Sequence, residues 1–223
     1  MQRHFHDELK ELKQKLLRMG LLVEETIEKA IQALLKRDNV IANQVIAGDR
    51  VINQLEIEID DMGHSLLALD QPMAVDLRNI TAILKINTDL ERMGDHAVNI
   101  AERTLVILKE PPITEKLHLP EMALAAQKMV RDALDAFVSG DVGLARNVLL
   151  QDDTVDDYKD EVNVKVEALM EKNPSIVRPG MSLIIIAHNL ERIADLANNI
   201  AEDVIYMRQG KEVRHHIETN PSN

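Results

Sequence analysis

Leu90-Glu91-Arg92-Met93-Gly94-Asp95-His96-Ala97-Val98-Asn99-Ile100-Ala101-Glu102 returns one hundred positions later as Leu190-Glu191-Arg192-Ile193-Ala194-Asp195-Leu196-Ala197-Asn198-Asn199-Ile200-Ala201-Glu202, with nine of the thirteen positions identical. A helical period explains which positions are kept. At about 100° per residue, Glu91, Asp95, Asn99 and Glu102 fall within an arc of about 80°. Ile86, Leu90, Met93, Ala97 and Ile100 gather on a roughly opposite arc. One face is built to pack a core and the other to present a ladder of oxygen atoms.

Composition fits a helical chain. The 223 residues are 45% apolar but only 2% aromatic, with no Trp, so Leu, Ile, Val, Ala and Met must fill the interior. That length is ample for a real core. Few Gly and Pro residues and abundant Glu, Lys, Leu and Ala give the same answer: all-α. The chain has no cysteine, which excludes disulfides, thiolate metal sites and cysteine nucleophiles and fits a reducing cytoplasm. Met1-Gln2-Arg3-His4-Phe5-His6 lacks the apolar stretch of a signal peptide. The densest apolar run, Leu183-Ile184-Ile185-Ile186-Ala187, is too short to span a bilayer. A net charge of −12 disfavours nucleic acid and favours cations and basic protein patches.

Along the chain, amphipathic periodicity predicts a first helix over about 5–36 and a second beginning after Asp38 as N-cap. Asp70-Gln71-Pro72 reads as the end of that helix and the start of a third, with Asp70 as cap and Pro72 in the first turn, running to about Leu108. Pro111-Pro112 breaks it, and 110–120 is a linker. The second half then repeats the first. At an offset of 103, Ala30, Ala33, Asp38, Ala42, Val45 and Asp49 meet Ala133, Ala136, Asp141, Ala145, Val148 and Asp152. At the ladders the offset is 100, a change that a three-residue indel near Gly63 or Asn173 explains. Helix four is expected over about 120–138, helix five from Asp141 to Glu171, and helix six after the turn signals at Asn173-Pro174 and Pro179-Gly180. The fold expected is two tandem three-helix bundles, six long helices related by pseudo-twofold symmetry. The domains are 1–110 and 111–210, with a flexible tail over 211–223.

The acidic ladders carry the chemistry. A Glu and an Asp four residues apart project from one helix face about 6 Å apart and repel each other. A hard cation turns that repulsion into attraction, and carboxylates are the ligands such cations prefer. On the second helix Asp49, Asn53, Glu56, Asp60 and His64 share an arc of about 80°, so Glu56 and Asp60 repeat the Glu91–Asp95 spacing. The later counterpart, Asp156-Asp157-Tyr158-Lys159-Asp160, is looser, because Lys159 aligns with Glu56. His188 lies three residues before Glu191, but Thr88 occupies its place in the first copy. The candidate metal ligands are Glu91, Asp95, Glu191, Asp195, Glu56, Asp60, Asn99, Asn199, Asp156 and Asp160. A single Glu-x-x-x-Asp is common on solvated helices, and an Arg92 or Arg192 pair is worth about 1 kcal/mol or less. What favours a metal is that the polar positions of the repeat, not only the apolar ones, are held in both copies.

Catalytic motifs are absent: there is no Walker-type phosphate loop and no Gly-x-Ser-x-Gly elbow. The Glu-x-x-His spacing of di-iron bundles occurs only at Glu115–His118 and Glu212–His215, in linker and tail. Two rival classes remain. A metal-dependent helical-bundle enzyme needs an open coordination position and a neighbouring base. A metal-free acidic scaffold needs only Lys and Arg on a partner.

The doubled Leu-Glu-Arg-x-x-Asp-x-x-x-Asn-Ile, with Asp76-Leu77-Arg78 before its first copy, resembles the PhoU family of phosphate-transport regulators. The match extends to Val51-Ile52-Asn53-Gln54-Leu55-Glu56 and to Met19-Gly20 and Val23-Glu24 in the first helix, over nearly all of 1–210. The resemblance implies two three-helix bundles whose Glu/Asp-x-x-x-Asp motifs bind iron or zinc, here at Glu91, Asp95, Glu191 and Asp195 and more loosely at Glu56, Asp60, Asp156 and Asp160. It implies a non-enzymatic, cytoplasmic homodimer and negative regulator of the phosphate-starvation response. Its partners would be the ATPase subunit of the phosphate ABC transporter and a membrane sensor histidine kinase, with the membrane reached only through them. Lys159 and Pro179-Gly180 depart from the pattern and set the second site apart.

Overall fold

The computed structural model describes residues 2–113, 115–210 and 213. The expected tail falls outside these residues except for Val213, which is buried. Helices α1 (Gln2–Lys36), α2 (Asn39–Asp70) and α3 (Val75–Ile107) form the first bundle. Helices α4 (Leu119–Ser139), α5 (Val142–Leu149), α6 (Asp152–Lys172) and α7 (Val177–Gln209) form the second, with a 3-10 turn at Pro174–Ile176 before α7. Among the described residues no helix is long and apolar enough to cross a membrane.

The periodicity that predicted α1 is the stripe it buries: Leu12, Leu16, Met19, Val23, Ile27 and Ala30 are all essentially inaccessible. In α3, Ile83, Ile86, Leu90, Met93, Ala97 and Ile100 do the same. Each such aliphatic side chain removed from water contributes about 1.5–3 kcal/mol before chain entropy is charged against it. Asp38 caps α2 as expected, accepting from the N–H groups of Val40 and Ile41 at 2.8 and 3.1 Å. Just before it, Arg37 donates to the carbonyls of Ile107 and Glu110, so the α1–α2 corner also satisfies the free end of α3.

The two bundles join along α3 and α7, which run antiparallel. Lys85 Nζ lies 3.2 Å from the buried Asp203 Oδ1 near one end. Farther along, His96 Nδ1 lies 2.9 Å from Asn189 Oδ1. Because the Asn189 amide nitrogen donates to the Ile185 carbonyl, its oxygen must be the acceptor and His96 Nδ1 the donor. A second contact pairs α1 with α4: Arg131 Nε donates to Glu24 Oε1 at 2.7 Å, and Leu134 covers Gly20, where a Cβ would come within 3.0 Å.

Three local expectations are corrected. The single fifth helix is two, because the chain restarts after Leu150-Gln151. Gln151 makes a tight bond to the Val148 carbonyl, its side chain donates to the Asn147 carbonyl, and Asp152 and Asp153 open α6 where carboxylates suit the helix dipole. Helix α3 begins at Val75 rather than at Pro72, since α2 continues through Asp70 and Gln71 ends it in the left-handed region at φ 47°. Ala74, not Asp70, occupies the cap position of α3. Pro179-Gly180 does not interrupt the last helix. Pro179 sits in the first turn of α7, where its missing N–H is no loss. Gly180 admits the Met170 sulfur, which would lie 2.9 Å from a Cβ.

Leu90 is fully buried on α3, the helix that packs against both its own bundle and α7. Leu90→Ala is expected to cost about 2–5 kcal/mol, read as a lower urea midpoint with helical circular dichroism retained in the folded state. A loss below about 1 kcal/mol would show that α3 is not central to the packing.

Candidate functional site

The first acidic cluster is assembled by α2 and α3. Asp49, Asn53 and Glu56 come from successive turns of α2, and Glu91 and Asp95 from α3. Gly94 permits the approach: a Cβ there would lie 3.2 Å from Ile52 Cδ1 and 4.0 Å from Asp49 Oδ1. The repeat-equivalent pair, Val155 and Ala194, exchanges those volumes, a methyl group leaving one helix and appearing on the other. The register is held by Asn87, a fully buried side chain whose amide donates to the Glu56 carbonyl at 3.0 Å. It fixes α2 against α3 at the turn that carries Glu56.

This cluster is short of positive charge. Burial, then the carboxylates of Asp95, Glu56 and Asp49, push the Glu91 carboxyl above its ordinary range, and Arg92 opposes them only weakly. Asp95 is raised by burial and by Asp49, with His96 opposing. Asn53 donates to Asp49 Oδ2 at 2.8 Å. The other Asp49 oxygen and the Asn53 carbonyl oxygen are shielded from solvent and have no hydrogen-bond partner. Each such orphan costs about 1–3 kcal/mol, and a bound cation is one way to satisfy both. Oxygen donors of this kind suit a hard or borderline cation. Their present spacing is looser: among the described residues no three His, Asp or Glu side chains stand close enough to hold one ion between them.

The second cluster has the same skeleton and a different charge balance. Asp152, Asp156 and Lys159 come from α6, Glu191 and Asp195 from α7. Lys159 Nζ lies 2.8 Å from Asp156 Oδ1 and 3.6 Å from Glu191 Oε1. Asp156, foremost, holds the Lys159 ammonium above its ordinary range. Arg192 Nη1 lies 2.9 Å from Asp195 Oδ2, and His188 Nδ1 3.4 Å from Glu191 Oε2. Asp152 is pushed up by burial and by Asp195 and Asp156, while a hydrogen bond from Asn198 opposes them. The cluster borders a cleft of about 870 Å³ between α3 and α7, lined in part by Arg92, His96, Asp152, Asp195, Asn199 and Asp203.

The remaining candidates are dispersed. Asp60 lies 3.1 Å from His64 on its own helix, Asp160 is exposed near Lys159, and Asn99 is exposed beyond Asp95. Outside the expected ligand set, besides Asn53, stand Asp49 and Asp152. Both lie on the ladder face and are related by the 103-residue offset, so the sequence held the signal.

A family match decides the identity of the architecture. The model of the PhoU domain matches residues 16–104 and again 119–204. The chain belongs to the PhoU family. A phosphate-specific transport system accessory protein PhoU homolog of Aquifex aeolicus is 40% identical over 208 residues, covering 93% of this chain and 94% of that protein. A protein of the same name from Pseudomonas putida is 42% identical, covering 95% of this chain and 83% of its own length. The crystal structure of PhoU from Pseudomonas aeruginosa superposes with a TM-score of 0.90 at 38% identity, covering 93% of this chain and 100% of the solved one. The phosphate transport system regulatory protein PhoU from Streptococcus pneumoniae gives 0.86 at 37% identity, covering 94% and 99%. The PhoU fold expected from the doubled ladder is therefore the fold found.

Because Glu91 and Asp95 bind protons more tightly when folded, their contribution to stability falls as pH rises through and above the carboxylate range. In metal-free protein, Glu91→Gln with Asp95→Asn is expected to stabilise at pH 7.5 by roughly 0.5 kcal/mol, and the gain should vanish near pH 4. Urea unfolding at the two pH values reads it. Destabilisation at pH 7.5 would mean that these carboxylates are already neutralised in the fold.

Proposed function

We propose that this chain is a negative regulator of phosphate uptake and of the phosphate-starvation response. It acts as an adaptor between the ATPase subunit of a phosphate ABC transporter and a membrane sensor histidine kinase. The observation that carries this reading is the likeness to named accessory proteins of phosphate-specific transport along 93% and 95% of the chain. The adaptor is cytoplasmic and homodimeric, and it meets the membrane only through its partners.

In this reading the first acidic cluster takes a divalent or trivalent cation, iron or zinc by resemblance to the family. Asp49, Asn53, Glu56, Glu91 and Asp95 would supply the oxygens. The two orphan oxygens and the raised carboxyls support it, and rotation of the flexible Glu56 and Glu91 side chains would draw the donors together. A bound cation adds positive charge to an acidic surface and ties α2 to α3, giving the adaptor a docking face whose charge follows metal supply. The alternative, a metal-free scaffold, draws on the loose spacing of the carboxylates. There the same face binds Lys and Arg of a partner directly.

Metal analysis of tag-free protein separates these readings. Glu91→Ala with Asp95→Ala is expected to lose its bound metal, keep its helicity and pull down less of the transporter ATPase subunit. Retention of metal by that variant would overturn the first-cluster site. Wild-type protein that binds no metal at micromolar supply, yet captures the ATPase subunit, would leave the scaffold reading.

A further inference from the structure

We propose that Lys159 is a built-in counter-cation for the second acidic cluster, so that the chain takes a metal ion in its first half and none in its second. This rests on the reading of the first cluster as a cation site. At the repeat offset, Asn53 and Glu56 of α2 become Asp156 and Lys159 of α6. The exchange is compensated. Where α2 sets a neutral amide beside a carboxylate, α6 sets a carboxylate beside an ammonium, and the two bond at 2.8 Å. Both clusters thus keep four carboxylates: Asp49, Glu56, Glu91 and Asp95 against Asp152, Asp156, Glu191 and Asp195. Among the described residues the second has positive charge tied into it by ion pairs, Lys159 between Asp156 and Glu191 and Arg192 on Asp195, while Glu191 Oε2 keeps no hydrogen-bond partner.

The consequence is electrostatic and steric together. A doubly charged ion entering the second cluster meets an ammonium on one side and a guanidinium on the other, and like charges a few ångströms apart repel strongly where solvent is partly excluded. The ion would also need the oxygens that Lys159 already occupies, Asp156 Oδ1 at 2.8 Å and Glu191 Oε1 at 3.6 Å. The Lys159 side chain is only 22% exposed, so it cannot swing wholly into water without leaving the groove between α6 and α7. In the first cluster the position equivalent to Lys159 is Glu56, itself a donor, and Arg92, the counterpart of Arg192, acts on Glu91 only through its charge.

The test is isothermal titration of tag-free, metal-stripped full-length protein with Mn²⁺ and separately with Zn²⁺. Wild-type protein should show sites that Glu91→Ala with Asp95→Ala removes and that Glu191→Ala with Asp195→Ala changes less than about twofold. Lys159→Glu should add at least one ion per chain, lost again when Glu191→Ala and Asp195→Ala are combined with it. Lys159→Met, which removes the ammonium without adding charge, guards against a variant that fails to fold: Mn²⁺ should raise its thermal midpoint more than it raises that of the wild type. Wild-type sites that survive Glu91→Ala with Asp95→Ala and vanish with Glu191→Ala and Asp195→Ala would overturn the proposal. So would Lys159→Glu protein that takes up no more metal than wild type. Wild-type protein without bound metal, alongside Lys159→Glu protein that gains it, would retire the first-cluster reading and support the role of Lys159.

Discussion

The antiparallel packing of α3 on α7 constrains everything else in the molecule. Each of these helices is buried by its own bundle and by the other, so Leu90, Met93, Ala97 and Ile100 in one and Leu190, Ile193, Ala197 and Ile200 in the other have no exposed surface. Only a narrow arc of each helix remains for polar groups. Part of that arc lines the cleft between α3 and α7, and part faces α2 in the first bundle and α6 in the second, where Asp49 and Asp152 meet it. The acidic clusters are therefore a consequence of the packing: the more of α3 and α7 the core takes, the more tightly their carboxylates are gathered.

Gathering like charges costs stability, and the two halves handle that cost differently. In the second half Lys159 and Arg192 offset part of the charge from within, although Asp152 is still pushed up and Glu191 Oε2 has no hydrogen-bond partner. In the first half Glu91 and Asp95 are pushed toward their protonated forms, and oxygens of Asp49 and Asn53 are left without partners. A natural chain keeps such a conflict where function uses it. The duplicated architecture thus carries two clusters of unlike charge balance, one with a lysine and an arginine paired into it and one without.

Much of this was legible in the sequence because helices write their packing at a fixed period. The stripe from Leu12 to Ala30, the Asp38 cap and the repeat of the ladder each predicted what the fold contains. The misses are of two kinds. Local breakers mislead when tertiary context absorbs them: Pro179 costs nothing in a first turn, and Gly180 serves close packing rather than a bend. The break after Leu150 has no Gly or Pro to announce it. Interhelical partners are the other kind. That Asn87 reaches the Glu56 carbonyl, or that Lys159 lies across Asp156 and Glu191, depends on which helix faces lie together. The repeat alignment showed Lys159 opposite Glu56, but only the packed helices show that it closes a cluster.

The most direct test of the unequal halves is anomalous diffraction from crystals of the tag-free chain grown with Mn²⁺. A manganese peak is expected between α2 and α3, beside Asp49, Glu91 and Asp95, and none beside Lys159. Peaks of equal height in the two clusters, or a single peak beside Asp152 and Asp195, would contradict that expectation.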